Sequence, residues 1–487
     1  MICTQITTFN VNGDAHIYKT DLSVNEEAKE RLLESGVVNL HPDFQYQTIE
    51  GFGGAMTESS AYLFSKMDSE NRKRALACYF GAEGIRTRFI RTHIDSCDFS
   101  LSEYTAVEDP MADPGLATFS LRRDRQYIIP MLKEAISMSR EPLSVLLSPW
   151  SPPACWKTPA NLGQNDLAVY GAFGIRPPSG DKPERSFGGS LKPEYYSSWA
   201  KYMMRYVREY LEEGIPVTML SVQNEAMAST IWDSCVWTAE QEKTFLRDYL
   251  HPEIKAAGLD GKIELFVWDH NKERMLERAG ELFDDVTGGM IAGIAFHWYS
   301  GDHFEAIRMF KEKYPGKVLM LSECCEIHAP GESGMNMPFL PPSYKTPGSL
   351  DHKDAIHYAH DIIGNLNEGM QRWLDWNLIL DEKGGPRHVR GGCTAGLIAK
   401  EDGTFRTSLI YHYIAHFSGY IRPGAKRIGF SRYTDEFEMT AAKNSDGQIV
   451  AVFLNKNPED TGCEIRIEGK VIHLKLPAGT ISTVLIQ

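Results

Sequence analysis

Val217-Thr-Met-Leu-Ser-Val-Gln-Asn-Glu225 sets a short apolar run against a polar ending. A run of that length suits a strand buried on both faces, as in parallel sheets. Just upstream, Glu194 to Leu211 carries Trp199, Met203, Tyr206 and Tyr210 at helical spacing. Helix followed by buried strand is half of a βαβ unit. The alternation continues in both directions. A first strand ends, and a helix opens, in Glu50-Gly-Phe-Gly-Gly-Ala-Met-Thr-Glu58. Further strands are predicted at 87–95, 143–150, 263–269, 291–299, 318–323 and 373–380. Eight such units predict an α/β protein of the (β/α)8 TIM-barrel class.

The chain has 487 residues and a mass of 54.8 kDa, too much for a barrel alone. After Arg422-Pro-Gly424 the pattern changes to short strands at 437–442, 448–454, 463–467, 471–476 and 480–486. These predict an antiparallel β-sandwich completed by N-terminal segments. The expected division is a catalytic barrel over 46–422 and a flank built from 1–45 plus 423–487. All nine tryptophans lie between Trp150 and Trp376, so the flank reads as structural rather than sugar-binding.

A net charge of −14 argues against nucleic-acid or anionic-membrane partners. No apolar run approaches the ~20 residues of a membrane helix, so no stable membrane insertion is expected. The N-terminus lacks a cationic-then-apolar leader. An odd nine cysteines, including adjacent Cys324 and Cys325, suits neither a disulfide framework nor a zinc ribbon. A cytoplasmic setting is the expectation, and a homodimer is permitted.

Barrel strands open their C-terminal ends onto one face, so their last residues converge. Asn224-Glu225 and Glu323 end the fourth and seventh strands. Two facing carboxylates are what glycosidic cleavage needs: one protonates the leaving oxygen, and the other attacks or activates water. A separation of ~5–5.5 Å implies retention of configuration, and ~6.5–9.5 Å implies inversion. Trp150, Trp298, Tyr299, Trp373 and Trp376, also at strand ends, offer ring faces for stacking on sugar C–H groups. If the strand is regular, Trp298 faces opposite to His297 and Tyr299. The connections 157–192 and 327–350, long and rich in Gly and Pro, are expected to wall the cleft. No dinucleotide, phosphate-loop, zinc-protease or serine-hydrolase motif is present. Asp269, His270, His297 and His303 match no common metal spacing, so neither metal nor cofactor is expected.

In these residues the chain resembles glycoside hydrolase family 30, the glucosylceramidase-like branch of retaining barrel glycosidases. The matching segments are Gly51-Phe-Gly-Gly-Ala-Met-Thr-Glu58, Ser96-Cys-Asp-Phe-Ser100, Tyr104-Thr105, Ser148-Pro-Trp-Ser-Pro-Pro153, Gln223-Asn-Glu225, His297-Trp-Tyr299, Ser322-Glu-Cys324, Trp373-Leu-Asp-Trp-Asn377 and Gly384-Gly-Pro386. The resemblance implies Glu225 as acid/base and Glu323 as nucleophile. It implies that Asp98, Trp150, Asn224 and Trp376 bind the sugar at the −1 subsite, with His297 and Tyr299 beside the nucleophile.

An exo-acting retaining β-glycosidase of the β-glucosidase or glucosylceramidase type is thus expected. β-Xylosidase, β-fucosidase and β-1,6-glucanase are alternatives, and a catalytically silent carbohydrate-binding barrel is a further one. The expected partner is an oligosaccharide or small β-glycoside. Two departures bear on substrate: Gly391-Gly392 follows Arg390 where glucosylceramidases carry an Asn, and Ala226 follows Asn-Glu in place of Pro. For catalysis, Glu225 is expected to have a raised pKa from burial and the charge of Glu323, and Glu323 to be ionised.

Overall fold

The computed structural model describes residues 1–26, 36–160, 186–328, 350–389 and 391–487. Eight parallel strands close into a barrel. In order around it they are Gly51–Ala55, Phe89–Ile94, Ser144–Pro149, Val217–Ser221, Glu264–Asn271, Ile291–His297, Val318–Glu323 and Arg372–Asn377. All eight anticipated strands are present.

Side chains alternate along a strand, so each second residue enters the barrel. Phe89, Leu146, Met219, Phe266, Ala295, Met320 and Leu374 form one apolar cluster inside it. Two residues further along come Arg91, Ser148, Ser221, His297 and Ser322, all buried. A greasy plug thus carries a polar layer directly above it. The fifth strand breaks step. Its pairing with the sixth shifts register between Ala295 and Phe296, and Trp268 and Asp269 adopt left-handed φ of 73° and 45°. One residue is thereby inserted, as in a bulge. Asp269 joins the polar layer, and Trp268 turns out into the large core between barrel and helices.

The surrounding helices bury amphipathic faces in that core. In Tyr196–Glu212, Trp199, Tyr202, Met203, Tyr206 and Tyr210 are buried along one side. The Tyr202 and Tyr206 hydroxyls donate to Asp95 at 2.6 and 3.1 Å. Thr57 caps helix Glu58–Lys66, accepting from the Ser60 N–H, and also donates to Asn377 Oδ1 at 2.6 Å. The helix start is thereby tied to the end of the last barrel strand.

A ten-stranded sheet draws on both ends of the chain. Cys3–Val11 lies between Asp14–Asp21 and Thr480–Ile486, antiparallel to both. Val37–Ile49 pairs antiparallel with Ala425–Arg432 and parallel with Thr461–Ile467. Val38, Ile428, Met439, Phe453, Ile465, Ile472 and Val484 belong to its own core. Strand Ala425–Arg432 was not anticipated, because AKRIGFSR lacks an apolar run. Nor was a three-stranded sheet of Ile379–Asp381, Leu397–Ala399 and Phe405–Thr407. Among the described residues no helix is long and apolar enough to cross a membrane.

His416, in helix Leu409–Ser418, joins sheet to barrel through hydrogen bonds with Thr8 and Thr483, both 2.8 Å. Burial drives its pKa from 6.5 down to about 3. The folded state therefore excludes a proton that the unfolded chain accepts, and stability is lost as pH falls from 6.5 toward 3. His416→Gln should flatten the pH dependence of the melting temperature within that window.

Candidate active site

Asp269 sits at the centre of the polar layer. Its Oδ2 accepts from Arg91 Nη2 at 2.8 Å and Ser221 Oγ at 2.6 Å. Its Oδ1 accepts from Ser322 Oγ at 2.5 Å and lies 3.1 Å from His297 Nε2. Burial works against the charge, but Arg91, His297 and Ser221 together hold the carboxyl well below the usual carboxylate range. Arg91 then reaches outward. Nη1 donates to Glu323 Oε2 at 2.5 Å, Nη2 to Asn224 Oδ1 at 2.7 Å, and Nε to Ser148 Oγ at 3.1 Å. Its carbon centre lies 4.7 Å from the Trp150 ring and 5.5 Å from Trp376.

Asn224 and Glu225 lie just past the fourth strand, held by its neighbours on either side. The Asn224 N–H donates to Pro149 O at 2.9 Å and the Glu225 N–H to Asp269 O at 2.7 Å. Glu225 itself is left-handed, φ 50°. Its Oε1 stands 3.6 Å from His297 Nδ1 and 3.7 Å from His270 Nδ1. Glu323 Oε1 accepts from Tyr299 Oη at 3.0 Å.

The charge states differ from expectation. Burial alone would raise the pKa of Glu225, but His297, His270 and Arg91 outweigh it and the pKa is lowered. For Glu323, burial outweighs His297 and Arg91, with Glu225's charge adding to it, and the pKa is raised. His297 is pushed up to about 9: Glu323, Asp269 and Glu225 overcome the cost of burying its charge. The correction has a simple cause: the sequence reading weighed the two carboxylates against each other and omitted the imidazoles facing Glu225. Protons in this pocket belong to the cluster rather than to single residues.

The other anticipated residues mostly converge. Trp150 and Trp376 stack at 5.2 Å with planes 23° apart, and Phe99 meets Trp376 edge-on. Asp98 accepts from Arg387 Nη2 at 3.2 Å, and burial together with Glu323 raises its pKa to about 7 despite Arg387. His297 and Tyr299 point inward. Trp298 faces away and stacks on His357 at 4.3 Å. Trp373 is also outside the pocket, packed against Phe52 and Tyr358 in the large core. Asp95 serves the tyrosines of its neighbouring helix. Arg390 and most of the two long connections, 161–185 and 329–349, lie outside the described residues.

Sequence reasoning missed Arg91, Arg387 and the three serines under Asp269. The one available signal was a cation, Arg91, in the middle of the wholly buried strand Phe89–Ile94. Paired acid and cation, coupled carboxylates and a wall of indoles define a carbohydrate-cleaving barrel.

Three comparisons agree. The chain belongs to glycoside hydrolase family 30: residues 49–421 match the Glycosyl hydrolase family 30 TIM-barrel domain, and 424–484 its beta sandwich domain. It is a glycoside hydrolase. It is 29% identical over 456 residues to lysosomal acid glucosylceramidase of Mus musculus, covering 91% of this chain and 81% of that protein. SrfJ from Salmonella typhimurium is similar in structure with a TM-score of 0.86 and 31% identity, covering 100% of this chain and 99% of that one. The endo-β-1,6-glucanase BT3312 follows at 0.81 and 25%, with 99% and 98% covered.

Asp269→Asn leaves Arg91 buried without the fully enclosed one of its two carboxylate partners. It should destabilise the fold by roughly 3–5 kcal/mol, measured by chemical denaturation.

Proposed function

We propose that this protein is a retaining, exo-acting β-glycosidase that removes a non-reducing-end sugar by double displacement. The observation that carries the reading is Arg91, whose one guanidinium holds both Glu323 and Asn224, the residue before Glu225. Glu323 attacks the anomeric carbon while Glu225 gives its proton to the departing oxygen. Water then attacks the glycosyl-enzyme, with Glu225 as base. His297, the most basic group beside Glu225, is the nearest source of the proton that Glu225 must carry at the first step. Because Arg91 occupies the Asn224 carbonyl oxygen, the amide's NH2 end is the donor offered to the sugar 2-hydroxyl. Asp98, Trp150 and Trp376 hold the remaining hydroxyls and ring face.

The substrate class follows as an oligosaccharide or small β-glycoside met in a reducing, cytoplasmic setting. Nine cysteines without a disulfide support that setting. The similarity to glucosylceramidases supports a β-glucoside, with β-xyloside and β-fucoside as alternatives. Endo-action on β-1,6-glucan is the second reading, favoured by the likeness to the endo-β-1,6-glucanase structure.

A panel of aryl β-D-glucoside, xyloside, fucoside and galactoside, with proton NMR of the first product, tests the proposal. The β-anomer should appear first, and an α-anomer would mean inversion. Glu323→Gln should abolish turnover while leaving the fold intact. Glu225→Ala should cost about 10²–10⁴-fold in kcat with poor leaving groups and far less with activated ones. Release of β-1,6-linked oligosaccharides from a β-1,6-glucan would favour the second reading.

A further inference from the structure

We propose that Glu225 Oε1, His270 Nδ1 and His297 Nδ1 form a binding site for one divalent transition-metal ion, Zn2+ foremost, inside the pocket. The three atoms lie within 4.8 Å of one another, and two of the three separations are 3.6 and 3.7 Å. An ion about 2.0–2.2 Å from each atom of a tetrahedral set needs separations of roughly 3.3–3.5 Å. The two glutamate–imidazole separations need a few tenths of an ångström of closure, and the imidazole–imidazole separation, up to 4.8 Å, needs as much as about an ångström more.

The surroundings are those of a ligand triad rather than a chance meeting. Both Nδ1 atoms are buried and have no hydrogen-bond partner. At such distances these nitrogens aim at the carboxylate oxygen without bonding it. His297, completely buried, is oriented by the contact of its Nε2 with Asp269 Oδ1. That contact fixes the ring with Nδ1 toward Glu225, and an ion bound there would take the place of any proton Nδ1 carries. A carboxylate behind the far nitrogen of an imidazole is the usual support for a metal-bound histidine. Asp269 is in turn anchored by Arg91, Ser221 and Ser322, so the orientation is rigid. His270 packs its ring against Trp268 at 5.1 Å.

Side-chain exposures of 11% for Glu225 and 17% for His270 leave a route to solvent for the ion and for water in the fourth position. Two imidazoles and one carboxylate select Zn2+ and its neighbours over Mg2+ and Ca2+, which take oxygen ligands. Binding releases any proton carried between Glu225 and the imidazoles. If Glu225 is the proton donor proposed above, the ion blocks catalysis. That consequence rests on the glycosidase mechanism, whereas the binding site does not.

The test uses the untagged full chain, stripped of metal. Co2+ titration followed by visible absorption should give tetrahedral ligand-field bands at one ion per chain. ZnCl2 should displace Co2+, with its affinity read by calorimetry, and MgCl2 should not. His270→Ala should weaken Zn2+ binding by at least about tenfold with unchanged circular dichroism. His270→Gln, which keeps a polar side chain, should weaken it likewise. In the parent, Zn2+ should inhibit aryl β-glycoside hydrolysis along the binding curve. Absence of a bound ion, an octahedral Co2+ spectrum, or equal Zn2+ affinity in both variants would overturn the site. Binding by a parent that hydrolyses none of the glycosides would instead leave the site standing and count against the mechanism.

Discussion

A buried ion pair holds the pocket together. Asp269 and Arg91 are both fully enclosed, yet each spends nearly all its hydrogen-bonding capacity on the other's neighbours. Desolvation of two charges is costly, and here it is offset by a closed set of partners: three serines, one histidine, one amide and one glutamate. From this pair the arrangement spreads along three lines. Arg91 sets Glu323 and Asn224; Asp269 sets His297; its backbone carbonyl sets Glu225. The indoles of Trp150 and Trp376 stack on one another with the guanidinium close by, so the aromatic wall is positioned by the same residue.

The electrostatics of the pocket follow from that wiring. Arg91 and Tyr299 attend Glu323, while two imidazoles attend Glu225. Two cationic groups, Arg91 and His297, face three carboxylates, Asp269, Glu225 and Glu323, so the groups titrate together. A substrate that excludes water and brings its own hydroxyls would redistribute the protons.

Much of this was legible in the chain. Buried parallel strands announce themselves as apolar runs with polar ends, which is why all eight barrel strands could be read and why Asn224-Glu225 and Glu323 were sought at the ends of two of them. Simple alternation also placed His297 and Tyr299 on one side and Trp298 on the other. Arg91 escaped because a strand buried on both faces shows no contrast between its sides. Asp269 was noticed as a strand end, but its central place depends on an inserted residue that no local pattern marks. Ala425–Arg432 escaped for the opposite reason: its burial comes from partners distant in sequence rather than from its own composition. His270 looked idle because sequence spacing says nothing of groups gathered from different strands.

The bulge at Trp268 and Asp269 has a consequence for how this scaffold tolerates change. The fifth strand changes phase midway, between Phe266 in the apolar plug and Asp269 in the polar layer. Exchanging side chains there is a matter of volume and charge. Removing Val267 or Trp268 is different in kind, because it takes away the inserted residue and with it the left-handed backbone that carries the Asp269 carbonyl to the Glu225 N–H. The fifth strand should accordingly accept substitution far more readily than deletion.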